Sequence, residues 1–493
     1  MRRNSKTNAV LALLAATQFC LILDAAVVGV ALPAIARDLG FGPSALSWVV
    51  NAYILAFGGF LLLGGRVADR LGRRRVFATS AALFAVASAI GALAQSEAWL
   101  VAARAGQGLA AAFMSPAALS LLLTVFEDAR SRQHALGIWA GVSAAGGAAG
   151  FLIGGVLVEA LGWRSVMYAN VPLGIGIAWL APRLLPASAP AGARAGFDVA
   201  GAASVTAGLA IGIFALIHAG ESGWTSPATL AAGVLAATLL IAFVVIERRS
   251  AEPLVPLDIF RRRSYATANG VAALVTMAVT PMFFFLTLFT QDVLGYSALA
   301  AGLAQLPLSL AISGAAIVAP RLIGRVGVHA ALAAGLVLLA SGMLVLARLP
   351  DSAGYVPDIV AAFLLVGPGA GTVWVAATAA ATAGASAEDS GLYSGIVSTA
   401  QQLGSAVGLA ILATVAANAA GQDASTASFA GGLRVGFGMG AGLIAAALAL
   451  TVVVLAPSTR REQARRSREN ETVAARATPG EVAVMATEAR ASG

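Results

Sequence analysis

The sequence predicts an all-α polytopic membrane protein with fourteen transmembrane helices, and three observations carry that prediction. Of its 493 residues, 59% are hydrophobic and only 11% charged, against about 25% charged in a soluble domain. Mean hydropathy is +0.85, too high for a surface bathed in water. Apolar segments of about 20 residues, enough for a helix to cross a bilayer, recur from end to end. In lipid each backbone N–H and C=O must be satisfied within its own segment, so such spans are read as helices.

Taken in order, the first span runs near 9–32, after Arg2, Arg3 and Lys6. Ala34-Ile35-Ala36 imitates a signal-peptidase site, but the preceding run is about twice a secretory h-region of about 7–15 residues, so it reads as a helix. Five more spans lie near 46–65, 76–95, 98–123, 135–158 and 164–185. Two follow near 198–218 and 227–246, and six near 265–290, 298–319, 329–348, 356–382, 392–418 and 431–456. Basic residues cluster in alternate loops: Arg66 to Arg75, Arg130 and Arg132, Arg183 and Arg194, Arg248 and Arg249, Arg261 to Arg263, Arg321 and Arg325, and Arg460 to Arg468. The intervening loops hold Glu97, Glu221, Asp292, Asp351 and Asp423. The positive-inside rule therefore places both termini in the cytoplasm of a multi-pass protein of the cell membrane. The net charge of +8 is explained by these topogenic arginines and calls for no nucleic acid.

The loops also carry a repeat. DLGFGPSALSW follows span 1 and VLGYSALAAG follows span 9, so that Gly295 lies 255 positions after Gly40, and Tyr296 after Phe41. GRVADRLGR has its echo in PRLIGRVG: Arg66 and Arg321, Arg70 and Arg325, and Gly72 and Gly327 share the same offset. The reading that follows is an N-terminal six-helix bundle at 9–185, an inserted pair at 198–246, a C-terminal six-helix bundle at 265–456 and a disordered cytoplasmic tail at 457–493. Parallel repeats of this kind place their site near the midplane between halves.

The most specific motif joins spans 2 and 3: Gly65-Arg-Val-Ala-Asp-Arg-Leu-Gly-Arg-Arg-Arg75. Its glycines allow a tight hairpin, and Asp69 can meet helix N-termini or arginines as a charge latch. The ordered string resembles the loop signature of the major facilitator superfamily. LVAARAGQGLAAA resembles the superfamily's span-4 motif through Arg104, Gln107 and Gly108. LDAAVVGVALP, WRSVMYANVPLG (Trp163 through Asn170-Val171-Pro172) and QDVLGYSALAAGLAQLP (Gln291 to Pro307) are similar to the fourteen-helix drug/proton antiporter branch. The resemblance runs from about residue 9 to 456. It implies the major facilitator fold, with two six-helix bundles rocking about a central cavity, two peripheral helices, and efflux driven by inward proton flow. Gating positions carried over are Gly65, Asp69, Arg70, Gly72 and Arg73 in the loop, and Gly150, Gly154 and Gly155 in span 5. Two departures stand out: Ala26 and Gly29 replace the branch's Thr and Asn, and Gly147 and Phe151 stand where span 5 carries prolines. Gly404 and Gly408 of span 13 answer Gly150 and Gly154.

Away from span ends, only Asp24 and Arg104 are charged at depth. A carboxylate in hydrocarbon costs about 2.5–3.5 kcal/mol on insertion scales and usually marks a pathway. On span 4, Arg104, Gln107 and Ser115 share a helical face that cannot meet lipid, and Thr17 shares the face of Asp24. Burial favours a neutral carboxyl and a neighbouring guanidinium favours the ionised one. A carboxylate balanced in this way is suited to carry a proton, so Asp24 and Arg104 are the proton-coupling candidates. Asn51, Tyr53, Gln107, Met114, Phe284, Gln305, Trp374 and Gln401 are candidate cavity residues by polarity or aromaticity. In span 9, Pro281 is read as a kink, and Phe283, Phe284, Phe285 and Phe289 cover most of the circumference, which predicts that some of these rings meet lipid.

There is no GxxxxGK[ST] loop and no HExxH, and the three histidines suggest no metal site. Cys20 is the only cysteine, so no intrachain disulfide forms. The chain reads as a monomer, not an enzyme, with no cofactor and the proton gradient as energy source. Its expected partners are small amphipathic drugs or antibiotics, protons and membrane lipid. Lipid or glycolipid export on the same fold is the alternative, followed by solute/proton symport.

Overall fold

A computed structural model describes residues 2–42, 45–126, 128–186, 199–250, 253, 255, 257–350, 355–382, 390–421 and 425–455. The expected tail at 457–493 lies outside them. Fourteen α-helices follow one another: α1 (Arg2–Leu39), α2 (Ser47–Leu71), α3 (Arg73–Ala92), α4 (Glu97–Val125), α5 (Ala129–Leu161), α6 (Arg164–Leu184), α7 (Val199–Ser222), α8 (Pro227–Arg249), α9 (Arg263–Leu288), α10 (Ala298–Val326), α11 (Val328–Leu346), α12 (Ala361–Thr382), α13 (Ser390–Ala420) and α14 (Thr426–Leu450). No strand occurs among the described residues. All fourteen helices are long and apolar enough to span a bilayer. We call the side where α1 begins and α14 ends the terminal face, and the other side the opposite face.

Four helix starts on the opposite face share one device. Ser96, Ser226, Ser297 and Ser425 each stand before α4, α8, α10 and α14 and accept a hydrogen bond from a first-turn N–H. Each satisfies a donor that the helix cannot. The repeat seen in the loops is also a backbone repeat. Gly40 and Gly295 have φ of 79° and 69°, and Gly72 and Gly327 of 93° and 86°, a region open to glycine at little cost.

The repeat extends to packing. A Cβ on Gly150 would stand 2.6 Å from Ala26 Cβ and 3.1 Å from Leu23 O, and one on Gly154 3.0 Å from Val27 Cα. In the other half, Gly404 meets Ala273 and Thr276, and Gly408 meets Met277. The partners 23, 26 and 27 thus recur as 273, 276 and 277. α5 lies on α1 as α13 lies on α9, each through backbone contact that only glycine permits.

Two readings of the sequence change. The phenylalanines of span 9 are largely shut away from lipid. Phe284, Phe285 and Phe289 are buried, and half-buried Phe283 stacks on Phe151 of α5 at 5.8 Å. α9 packs against α12, α13, α14 and α1, so most of its surface faces protein. A sequence cannot distinguish a helical neighbour from a lipid tail, since both are apolar. The inserted pair, expected at the periphery, is peripheral only in part. α8 rests on α7, but α7 lies against both α2 and α13. Ile213 and Ile217 of α7 share one apolar cluster with Leu55 of α2 and Ala406 and Ala410 of α13. A Cβ on Gly59 would lie 2.0 Å from Thr206 Oγ1. Gly59→Val is therefore expected to lift α7 from α2 and cost about 1–3 kcal/mol of overpacking. Thermal unfolding in detergent would show this as a lower midpoint, with Thr206→Gly restoring part of it.

Candidate functional site

The N-terminal bundle closes around one polar cluster. On α1, Asp24 is fully buried, and on α4, Arg104 is 2% exposed. Arg104 Nη1 donates to Asp24 Oδ2 at 2.8 Å and to Gln107 Oε1, also at 2.8 Å. Its Nε donates to Val49 O of α2 at 3.0 Å, and its Cζ lies 4.5 Å over the Tyr53 ring. Gln107 Nε2 donates to Ser88 Oγ of α3 at 2.6 Å. Asn170 of α6 completes the set, its Nδ2 donating to Asp24 Oδ1 at 2.5 Å.

This arrangement exists because α4 sits backbone-close to α2. A Cβ on Gly108 would be 2.2 Å from Tyr53 O, and one on Gly64 2.2 Å from Ala112 O. That approach brings the Val49 carbonyl within reach of a guanidinium one turn along α4. The guanidinium's donors are shared among a carboxylate, an amide oxygen, a backbone carbonyl and an aromatic face, so no charge is left bare.

Of the residues expected here, Asp24, Arg104, Gln107 and Tyr53 come together. Asn170 and Ser88 join them without having been singled out as site residues. Thr17 does not join, because its Oγ1 donates to Leu13 O of its own helix at 2.9 Å. Among the cavity candidates, Met114 is packed in the bundle's apolar core, where neighbouring helices leave it 1% exposed. Asn51 is buried with neither amide atom bonded. In the other bundle, Phe284 is buried edge-on to Phe285 at 5.9 Å, and Gln305 Nε2 donates to Thr287 Oγ1 at 3.0 Å. Gln401 lends its backbone oxygen to Thr276 Oγ1, and Trp374 is half exposed.

The motif loop forms a second polar centre, at the terminal face. Asp69 pairs with Arg73 at 2.8 Å, and Arg73 Nη1 also donates to Thr124 Oγ1 of α4 at 2.6 Å. Arg74 reaches the end of α6, donating to Leu185 O at 3.3 Å, and Arg66 donates to Pro253 O. Gly65 meets Pro116 at ordinary distance, Gly72 makes the turn, and Arg70 is half-buried.

At the opposite face the bundles touch. Gly155 of α5 lies against Leu299 of α10, where a Cβ would be 2.7 Å from Leu299 Cα, and Gly302 lies against Phe151 O. Glu159 Oε2 accepts from Leu299 N–H at 3.0 Å, in the first turn of α10. Gln291 Nε2 donates to Val30 O at 2.9 Å, and Arg37 pairs with Asp292 at 3.6 Å.

Residues 14–201 and 195–409 match the family model of the Major Facilitator Superfamily. The chain belongs to the major facilitator superfamily. Its members are transporters rather than enzymes, and the fourteen spans fit the superfamily's drug-efflux branch. Over 381 residues the chain is 42% identical to the cephamycin export protein of Amycolatopsis lactamdurans, covering 75% of this chain and 78% of that one. It is 39% identical to the puromycin resistance protein of Streptomyces alboniger, covering 74% and 73%. Among solved structures, a peptide transporter in complex with sulfate superposes with a TM-score of 0.68 at 18% identity, over 92% of this chain and 94% of that one. That likeness shows the major facilitator fold.

Proposed function

We propose that this transporter exports small amphipathic drugs or antibiotics across the cytoplasmic membrane in exchange for protons, by alternating access. Both termini lie in the cytoplasm, and the proton gradient is the energy source. Relatives named for cephamycin export and puromycin resistance support the cargo class, and the arginine-rich terminal-face loops support the orientation.

The observation that carries the coupling is the Asp24–Arg104 pair, buried and shared among four helices. A proton arriving on Asp24 cancels the pair, yet Arg104 keeps Val49 O, Gln107 Oε1 and the Tyr53 ring. Those remaining partners all lie on α2 and α4. Protonation therefore loosens α1 from α4 while α2 and α4 stay joined, and α1 reaches across the bundle interface through Val30 and Arg37. Outward-facing Asp24 loads a proton; inward-facing Asp24 releases it, re-forms the pair and admits cargo. Each proton moving inward contributes about 2.3 kcal/mol at 100 mV, plus the pH difference.

Inverted vesicles tested with ethidium or Hoechst 33342 check this reading. Dye accumulation is expected to require an imposed proton gradient and to collapse with an uncoupler. Accumulation against a dye gradient with no proton gradient would exclude antiport.

A further inference from the structure

We propose that Asn170 serves both protonation states of Asp24, its side-chain amide turning over as the proton arrives. This rests on the proton reading of Asp24 and adds to it a positioning residue from α6.

In the structure both oxygens of Asp24 accept from donors: Oδ2 from Arg104 at 2.8 Å and Oδ1 from Asn170 Nδ2 at 2.5 Å. That arrangement suits a carboxylate. A carboxylic acid instead carries an O–H that needs an acceptor, and a buried polar group without one is costly. Arg104 offers only donors. The carbonyl of Gln107 is already held by Arg104, and the Tyr53 ring lies on the guanidinium. The carbonyl of Asn170 is held least firmly: it points away from Asp24 and accepts only from the Cys20 thiol, a weak donor, at 3.8 Å.

A half-turn of the amide about its Cβ–Cγ bond exchanges its two ends. Oδ1 then accepts from the new O–H of Asp24, and Nδ2 faces the Cys20 sulfur, a weak acceptor. Cys20 is 1% exposed and Asn170 likewise, so the turn happens in place, without water. Among the described residues, the charged or titratable groups facing Asp24 are Arg104 from α4, Tyr53 from α2 and Cys20 from α1 itself. α5 meets this stretch of α1 with Gly146, Gly150 and Gly154. The charged groups that bear on α1 from the C-terminal bundle lie at its far end, where Arg37 meets Asp292.

Infrared difference spectroscopy on the purified full-length protein tests the proposal. Isotope-labelled aspartate and asparagine are used, and the bands are assigned by their loss in D24N and N170L. The Asn170 amide band is expected to shift with the same pH midpoint as the appearance of the Asp24 carboxylic acid band. In N170L the acid band persists to a pH at least one unit higher, a tenfold tighter hold on the proton. The reason is that the charge-assisted donor lost from the carboxylate is stronger than the neutral acceptor lost from the acid. N170S, whose hydroxyl can donate and accept, returns the midpoint at least half way and restores the pH profile of dye export. An Asn170 band that stays fixed while Asp24 protonates would overturn the proposal and leave the proton reading standing. An Asp24 band absent at every pH would overturn both.

Discussion

Asp24→Asn is expected to abolish proton movement coupled to export while leaving the protein folded. The carboxamide keeps the size of the side chain and an oxygen that can accept from Arg104, but it can neither load nor release a proton. Breaking a buried pair by removing one charge costs about 3–5 kcal/mol where the other is left bare. Here Arg104 retains Val49 O, Gln107 Oε1 and the Tyr53 ring, so the loss falls at the lower end and the unfolding temperature drops without collapse. In proteoliposomes loaded with a pH-sensitive dye, ethidium added to the parent should drive proton flux, and added to D24N should drive none. Exchange of dye for dye at equal pH should also weaken in D24N, because the amide imitates the protonated acid, the form that does not admit cargo. Asp24→Glu should retain coupling at a reduced rate. Proton flux in D24N at the parent's rate would remove Asp24 from the pathway.

Gly108→Val is expected to be the more destructive substitution, although it alters no polar group. The new Cβ would be forced to 2.2 Å from Tyr53 O and 2.9 Å from Tyr53 Cα, both backbone atoms of α2. No rotamer change relieves such a contact, so α2 and α4 must part, at the upper end of the roughly 1–3 kcal/mol typical of overpacking or beyond it. That displacement carries Val49 O and the Tyr53 ring away from Arg104, so the site fails together with the packing. Thermal unfolding in detergent and ethidium export in vesicles should both decline. Gly106→Val, on the side of α4 that faces α3, where a Cβ would meet only Ala87 Cβ at 3.5 Å, should leave both nearly unchanged. Equal damage at the two positions would mean that helix propensity, rather than the α2–α4 approach, sets the effect.

These expectations draw on parts of the molecule that the sequence reveals unequally. The fourteen spans are legible because hydrocarbon imposes a length and a polarity on any helix that crosses it. The halves are legible because the turns need glycine at φ near 70–90°, and that need leaves Gly40 and Gly295, and Gly72 and Gly327, at one spacing. Asp24 and Arg104 stand out as charges where charge is expensive. Asn170 and Ser88 do not, since a neutral polar residue in a span is common and its meaning lies in which helix faces it. The misassigned phenylalanines of α9 have the same cause. Apolarity specifies burial but not the neighbour. The position of α7 between α2 and α13 leaves only Gly59 as a trace, one glycine among 55.

That position makes two geometrically related crevices unequal. The α5–α10 crevice has only its own two helices to close it, at Gly155 and Gly302. The α2–α13 crevice is stoppered from the lipid side by a third helix. α7 is keyed into α2 at Gly59 but meets α13 through the low relief of Ala406 and Ala410. Under the alternating access proposed above, α7 is therefore expected to ride with the first bundle and glide along the second, like a gasket fixed to one jaw. To a greasy molecule wandering in the bilayer, the transporter then has a front and a back.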